Sequence, residues 1–357
     1  MPNARVRHLR GKIAEAGATA MLVGSGVNRR YLSGFTGTSG VLLLSEDRAA
    51  LITDFRYREQ APKQAHGYEI VEHGPDIKAT VADLLKEWGI EKLLFEDRHV
   101  TFAEHASWVK AYAPAELLPA GGIVEELRMV KEEAELGVMR EAAEVADRTF
   151  EHILGFIKPG VTELEVAAEM ETFMRKLGAS GPSFDTIVAS GERSALPHGV
   201  ASGRVIGANE FVKLDFGAYY QGYCSDLTRT VVVGKPNDKH KEIYAIVKEA
   251  QQSALDHLKP GMMGREGDAL TRDIITRYGY GDHFGHGTGH GLGMEIHEEP
   301  RLSRTGDIVL RPGMTVTVEP GIYLPGFGGV RIEDDVVITD TGIQILTRSP
   351  KELIVLD

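Results

Sequence analysis

Residues 158–178 read KPGVTELEVAAEMETFMRKLG, and residues 259–279 read KPGMMGREGDALTRDIITRYG. Both stretches open on Lys-Pro-Gly, continue with a helix-like pattern and close on a glycine at the same interval. Each is preceded by an amphipathic run (REAAEVADRTFEHILGFI and HKEIYAIVKEAQQSALDHL), which the proline ends because it cannot continue a helix. Each is followed by strand-like segments with a shared signal, DFGAY at 215–219 and EPGIY at 319–323. The signal is an acidic residue, a glycine two later and a tyrosine two after that. One supersecondary unit used twice explains the pattern. The sequence therefore predicts an α+β domain of two halves related by a pseudo-twofold axis.

Residues 1–125 have a different texture. Short apolar runs (ATAMLVGSG, GVLLLSEDRAALITD, EKLLFED) alternate with helical patterns such as ATVADLLKEWGI. That is an α/β reading, with a Ser-Glu-Asp turn joining two strands. PAGGIVEEL at 119–127 reads as a linker, so the expected domains are 1–125 and 126–357, and 357 residues accommodate both. With 42% hydrophobic and 26% charged residues, the chain can build packed cores. A net charge of −12 argues against nucleic acid or an anionic membrane as partner. Cys224 is the sole cysteine, which excludes an internal disulfide and a thiolate metal cluster and fits a reducing compartment. The first residues are charged, without a signal-peptide apolar core, and no run reaches the length of a membrane span. The expectation is a soluble cytoplasmic protein.

The densest chemistry lies in FGHGTGHGLGMEIHEEP, residues 284–300. His286 and His290 are four apart, as on a metal-binding helix, but each glycine costs a helix interior roughly 1 kcal/mol relative to alanine. Read as extended chain, His286, Thr288, His290 and Leu292 share one face while the other is nearly all glycine. Such a ribbon lets something approach the backbone closely. Carboxylates supply the partners. EFVKLDFGAYYQGYCSDLTRTVVVG reads as a hairpin; a turn centred between Tyr220 and Gln221 places Asp215 opposite Asp226. Glu319 closes the strand MTVTVEP, and Glu333 lies in GGVRIEDDVVIT, where Arg331 is two residues away on the same face. Burying carboxylates unpaired is costly, so a cation is expected between them. Four carboxylates and a neutral His290 balance two divalent ions. The oxygen-rich set suits Mn²⁺ or Co²⁺ and tolerates Zn²⁺ or Fe²⁺. Two such ions roughly 3.5–4 Å apart would hold a bridging hydroxide and polarise a carbonyl.

The run from His286 to Glu298 (HGTGHGLGMEIHE) resembles the signature of the proline peptidases, aminopeptidase P and prolidase, in the pita-bread metallopeptidase family. NRRYLSGFTG (28–37) and LITDFRYREQA (51–61) are similar to that family's creatinase-like N-terminal domain. SFDTIVASGERSALPHG (183–199), the Asp215/Asp226 hairpin, EPGIY and VRIED match its catalytic domain in order. The resemblance implies a creatinase-like α/β domain followed by a pita-bread catalytic domain. It implies that Asp215, Asp226, His290, Glu319 and Glu333 ligate two metals, with Glu319 also the general base. His297 would donate to the developing oxyanion, His198 and His286 would line the pocket around the proline-side residue, and Arg331 would brace the carboxylates. The substrates would be short peptides cleaved at an N-terminal Xaa-Pro bond, or Xaa-Pro dipeptides, and the enzyme a homodimer. A creatinase-like hydrolase of small amidines, or a non-catalytic peptide- or histone-binding relative, would lack the metal carboxylates. The motifs alone do not distinguish a dipeptidase from an aminopeptidase acting on longer peptides.

Overall fold

The apolar runs of the N-terminal region form a six-stranded sheet in the computed structural model, which describes residues 4–357. In spatial order its strands are Glu69–Glu72, Ala49–Thr53, Val41–Ser45, Ala20–Val23, Lys92–Phe95 and Glu116–Pro119. Leu22, Leu43, Ile52 and Leu93 pack with Val81 and Leu84 of helix Ile77–Glu87. The central strands read as unbroken apolar runs rather than alternating ones because both their faces are buried. The Ser-Glu-Asp turn is present, with Ser45 Oγ accepting from the Arg48 amide at 3.1 Å.

The expected linker at 119–127 is a different object. Gly121 and Gly122, both at positive φ, make a turn, and helix Ile123–Met129 follows. Val124 is buried, Glu125 accepts from Asn28 Nδ2 at 2.6 Å, and Arg128 donates to Asn28 Oδ1 at 2.8 Å. These contacts extend the first compact unit to Met1–Arg128; the second is Met129–Asp357. A Gly-Gly pair marks a turn, and it took the buried Asn28 to show that the chain beyond it is packed.

In the second unit the repeat is written in the backbone. Long helix Glu133–Leu154 is followed by helix Glu163–Lys176, and long helix Asp238–His257 by helix Gly264–Arg277. The glycines of the two Lys-Pro-Gly turns, Gly160 and Gly261, have φ of 96° and 89°. Thr162 and Met263, at the same repeat position, each form an isolated antiparallel bridge, to Val205 and Val309. Thr162 caps its helix reciprocally with Glu165: the Thr162 amide donates to the carboxylate at 2.7 Å, and Thr162 Oγ1 accepts from the Glu165 amide at 3.2 Å.

Each half supplies a sheet. The first runs Val355–Leu356, Leu227–Val233, Glu210–Phe216, Ile187–Ser190. The second runs Glu298–Leu302, Gly289–Gly291, Thr315–Val318, Asp334–Ile338, Ile343–Ile345. Phe150 and Met170 pack on Val212 and Leu214 in one half, as Ala254 and Leu255 pack on Val316 and Val336 in the other. Buried on that side, the strands carry their acidic residues to a shared cavity. No helix among the described residues is long and apolar enough to cross a membrane.

Candidate metal centre and active site

Asp215 sits near the end of strand Glu210–Phe216, and Asp226 immediately precedes strand Leu227–Val233. They do not face each other directly. Asp215 pairs with Thr228, and Tyr219 with Cys224, so the turn centres between Gln221 and Gly222 rather than one residue earlier. Gln221 and Gly222 both have positive φ, 49° and 94°, as a two-residue hairpin turn matched to strand twist requires. Both aspartates still line one cavity of about 460 Å³, with His290, Glu319 and Glu333. Glu319 directly follows strand Thr315–Val318. Glu333 lies in a break between strands Gly328–Arg331 and Asp334–Ile338, so the segment read as one strand is two.

The glycine ribbon is approached closely, as expected. Only Gly289–Gly291 is strand. A Cβ on Gly289 would lie 1.9 Å from the Thr317 carbonyl oxygen, and one on Gly291 2.2 Å from that of Glu299. What approaches this backbone closely is the backbone of the adjoining segments on both sides. The glycines let His290 be clamped between two segments while its ring enters the cavity.

The His290 ring is ready to bind a cation. Nδ1 lies 3.0 Å from the Gly291 carbonyl oxygen, which can only accept, so Nδ1 carries the proton and Nε2 presents a lone pair. Burial holds its pKa down to about 3, keeping it neutral. That lone pair stands 3.3 Å from Glu319 Oε1 and 3.6 Å from Asp226 Oδ2. Ligand atoms of Asp226, His290 and Glu333 all lie within 4.8 Å of one another. Burial, then Glu333 and Asp215, push Asp226 well above the carboxylate range. Burial, then Glu319 and Asp215, do the same to Glu333. Burial raises Glu319 to about 7 against the pull of Arg331. Asp226 Oδ1 is buried without a hydrogen-bond partner. A lone pair facing carboxylates, and an orphaned buried oxygen beside them, fit a divalent cation.

Asp215 is not among the ligand atoms within 4.8 Å of one another, and Arg331 Nη2 bonds it. Arg331 also donates from Nε to Thr228 Oγ1 at 3.1 Å and from Nη1 to Tyr323 Oη at 2.8 Å. Tyr323 Oη in turn lies 2.8 Å from His286 Nε2, while His286 Nδ1 is 2.8 Å from the Gly287 carbonyl oxygen. The chain Arg331 to Tyr323 to His286 fixes the imidazole as the Nδ1–H tautomer, and burial holds its pKa near 3. His286 thus has no free nitrogen for the cavity. His297 is exposed to the cavity, its ring edge-on to His290 with centroids 4.5 Å apart, and His198 is exposed on the wall.

Several cavity residues went unread in the sequence. Arg301 lines it with an exposed guanidinium, and Phe184, Ile187 and Ile296 supply an apolar wall. Arg301 is four residues past His297, a spacing without meaning until strand Glu298–Leu302 is in place. Arg272 donates to the Phe284 and His286 carbonyls at 2.9 and 2.6 Å while paired with Asp268, steadying the ribbon from helix Gly264–Arg277.

The arrangement can be set beside known proteins. The description "Metallopeptidase family M24" matches residues 137–340, and "Creatinase/Prolidase N-terminal domain" matches residues 5–130. The chain belongs to metallopeptidase family M24. Its second unit carries that family's pita-bread catalytic fold, and its first the creatinase-type domain. The uncharacterized peptidase YqhT of Bacillus subtilis is 54% identical over 352 residues, covering 99% of this chain and all of that one. A solved Xaa-Pro dipeptidase from Bacillus anthracis superposes with a TM-score of 0.97 at 57% identity, over 99% of both chains. An X-Pro aminopeptidase from Thermotoga maritima does so with a TM-score of 0.93 at 39% identity, over 99% and 100%.

Proposed function

We propose that this member of the metallopeptidase family is a dinuclear, metal-dependent exopeptidase that hydrolyses Xaa-Pro bonds, in dipeptides or at peptide N-termini. The observation that carries the reading is the lone pair of His290 facing Asp226 and Glu319 across 3.3–3.6 Å, with Glu333 closing the group. Asp215, Asp226, His290, Glu319 and Glu333 would hold two divalent ions, Mn²⁺ first, with Co²⁺, Zn²⁺ or Fe²⁺ as alternatives. When bound, such ions acidify water and polarise a carbonyl.

The protein groups divide the remaining work. Glu319, whose Oε1 accepts from Thr317 Oγ1 at 3.0 Å, takes the proton from the attacking water. His297, kept neutral by burial and by Arg301, donates an N–H to the carbonyl oxygen as charge develops there. Arg331 holds Asp215 in place. His198 and His286, which line the cavity, would wall the proline side, and the Arg301 guanidinium, also on its lining, would read a free carboxylate beyond it. That last feature favours dipeptides over longer chains. The reading includes a cytoplasmic homodimer, the single buried Cys224 being at home in a reducing compartment. An amidine hydrolase or a non-catalytic binder would have no use for this carboxylate set.

The test is metal content and hydrolysis measured together, on Xaa-Pro dipeptides beside Xaa-Pro-Xaa tripeptides and Xaa-Ala controls. Hydrolysis should vanish on chelation, return with Mn²⁺ and favour the dipeptide. Undiminished turnover by demonstrably metal-free protein would overturn the mechanism.

A further inference from the structure

The tip of the loop that carries His198 buries little of its own side chains, although Arg193 Nη2 donates to the Val200 carbonyl at 2.7 Å. Leu196 and Val200 are 48% and 47% exposed, and His198 is exposed between them. The neck of the loop is closed by Glu163, which is fully buried. Its Oε1 accepts from the Ser190 amide at 2.8 Å and its Oε2 from the Ser202 amide at 3.0 Å. At the tip, the Gly199 amide donates to the Leu196 carbonyl at 3.2 Å, forming a tight turn around His198. The Leu196 and Pro197 carbonyls of that turn meet Lys213. Its Nζ is 2.5 Å from the Leu196 oxygen and 3.2 Å from that of Pro197, which also accepts from Arg331 Nη1 at 3.2 Å.

Lys213 itself is unusual. It lies in the middle of strand Glu210–Phe216, between Val212 and Leu214, and is fully buried. Among the described residues it forms no salt bridge; its Nζ faces the Tyr323 ring at 5.1 Å and otherwise spends its N–H groups on the two loop carbonyls. An apolar residue would serve the strand and the core without the cost of burying an amine. The hydrogen bonds to the loop are what a lysine adds.

We infer that Lys213 is a positioning residue for substrate: it tethers the Leu196 and Pro197 carbonyls from beneath and so sets where His198 stands in the cavity. The inference rests on the proposed contact of His198 with the proline-side residue. Two N–H groups suffice for the tether, so it holds for ammonium and amine alike.

The test is a double-mutant cycle with Lys213→Met and His198→Ala in metal-loaded protein. Metal content, KM and kcat on an Xaa-Pro dipeptide, and hydrogen exchange at the Gly199 and Val200 amides would be followed. Each single variant should raise KM about tenfold, the scale of one well-placed contact, with kcat changed far less. The double variant should be no worse than the poorer single, because both changes act through one contact. Lys213→Met should speed exchange at both amides and keep its metals. Additive KM effects, unchanged amide exchange or loss of metal in Lys213→Met would overturn the tether. An unchanged KM in His198→Ala would instead remove the proposed contact, while amide exchange still decides the tether. Lys213→Gln, polar but one bond too short to reach both carbonyls, repeats the test with the same expectations if the methionine variant does not fold.

Discussion

Stripped of metal, the site should be a liability to the fold, and Glu319→Gln should relieve it. Burial raises the Glu319 carboxyl from its usual 4.5 to about 7. A folded-state pKa above the unfolded one means that protonation favours the folded state. The penalty is therefore absent below the unfolded value, grows between the two and is complete above about 7. A gap of about 2.5 units at about 1.4 kcal/mol each comes to roughly 3 kcal/mol lost as pH rises from 4.5 to 8. Asp226 and Glu333, also raised, push in the same direction. Glu319→Gln removes the charge and keeps the shape. At pH 8 the chelator-treated variant should exceed wild type by roughly 3 kcal/mol, or about 6–12 °C in melting temperature for a unit of this size. At pH 4.5 the two should nearly coincide, and saturating metal should reverse the order at pH 8. Thermal and urea unfolding with and without chelator measure this. A metal-free wild type whose stability is flat from pH 5 to 8, or a variant weaker than wild type at pH 8, would refute the reasoning.

Three further outcomes separate the roles within the cavity. His290→Ala should lose metal and turnover together, whereas His297→Ala should keep its metals and lose turnover by roughly 10²–10³, the usual cost of one oxyanion donor; equal metal loss in both would end the division of labour. Arg301→Gln should raise KM for an Xaa-Pro dipeptide by about tenfold or more yet leave the C-terminally amidated substrate little affected, since only the first offers a carboxylate; steady-state kinetics on the pair decide it. The Cys224 thiol, pushed up to about 12 by burial, should react with thiol reagents at pH 8 only as fast as the protein unfolds, a rate readable by mass spectrometry.

Local patterns carried much of this in advance. The two Lys-Pro-Gly copies announced the two halves, because proline fixes its own φ and glycine admits the positive φ that other residues avoid, wherever they occur; Gly160 and Gly261 both have positive φ. Four of the five proposed ligands could be chosen because acidic residues beside apolar strands conflict with their surroundings in any fold. Finer matters depended on which segments cross. A hairpin slipped by one residue exchanges the partner of Asp215, and only the positive φ of Gln221 and Gly222 decided the register. The histidine ribbon needed glycine because the Thr317 carbonyl, 28 positions from Gly289, and that of Glu299, folded back from the same segment, press against it. Arg331 stands two residues from Glu333, yet its guanidinium bonds Asp215, 116 positions away. Lys213 and Arg301 had no reading at all until the Leu196–Pro197 turn and the cavity were in place. Periodicity and turn chemistry act between near neighbours along the chain, so the sequence alone settled the architecture and the kinds of residue at the site. The partner of each buried charge is set by contacts between remote strands, and those exist only once the chain has folded.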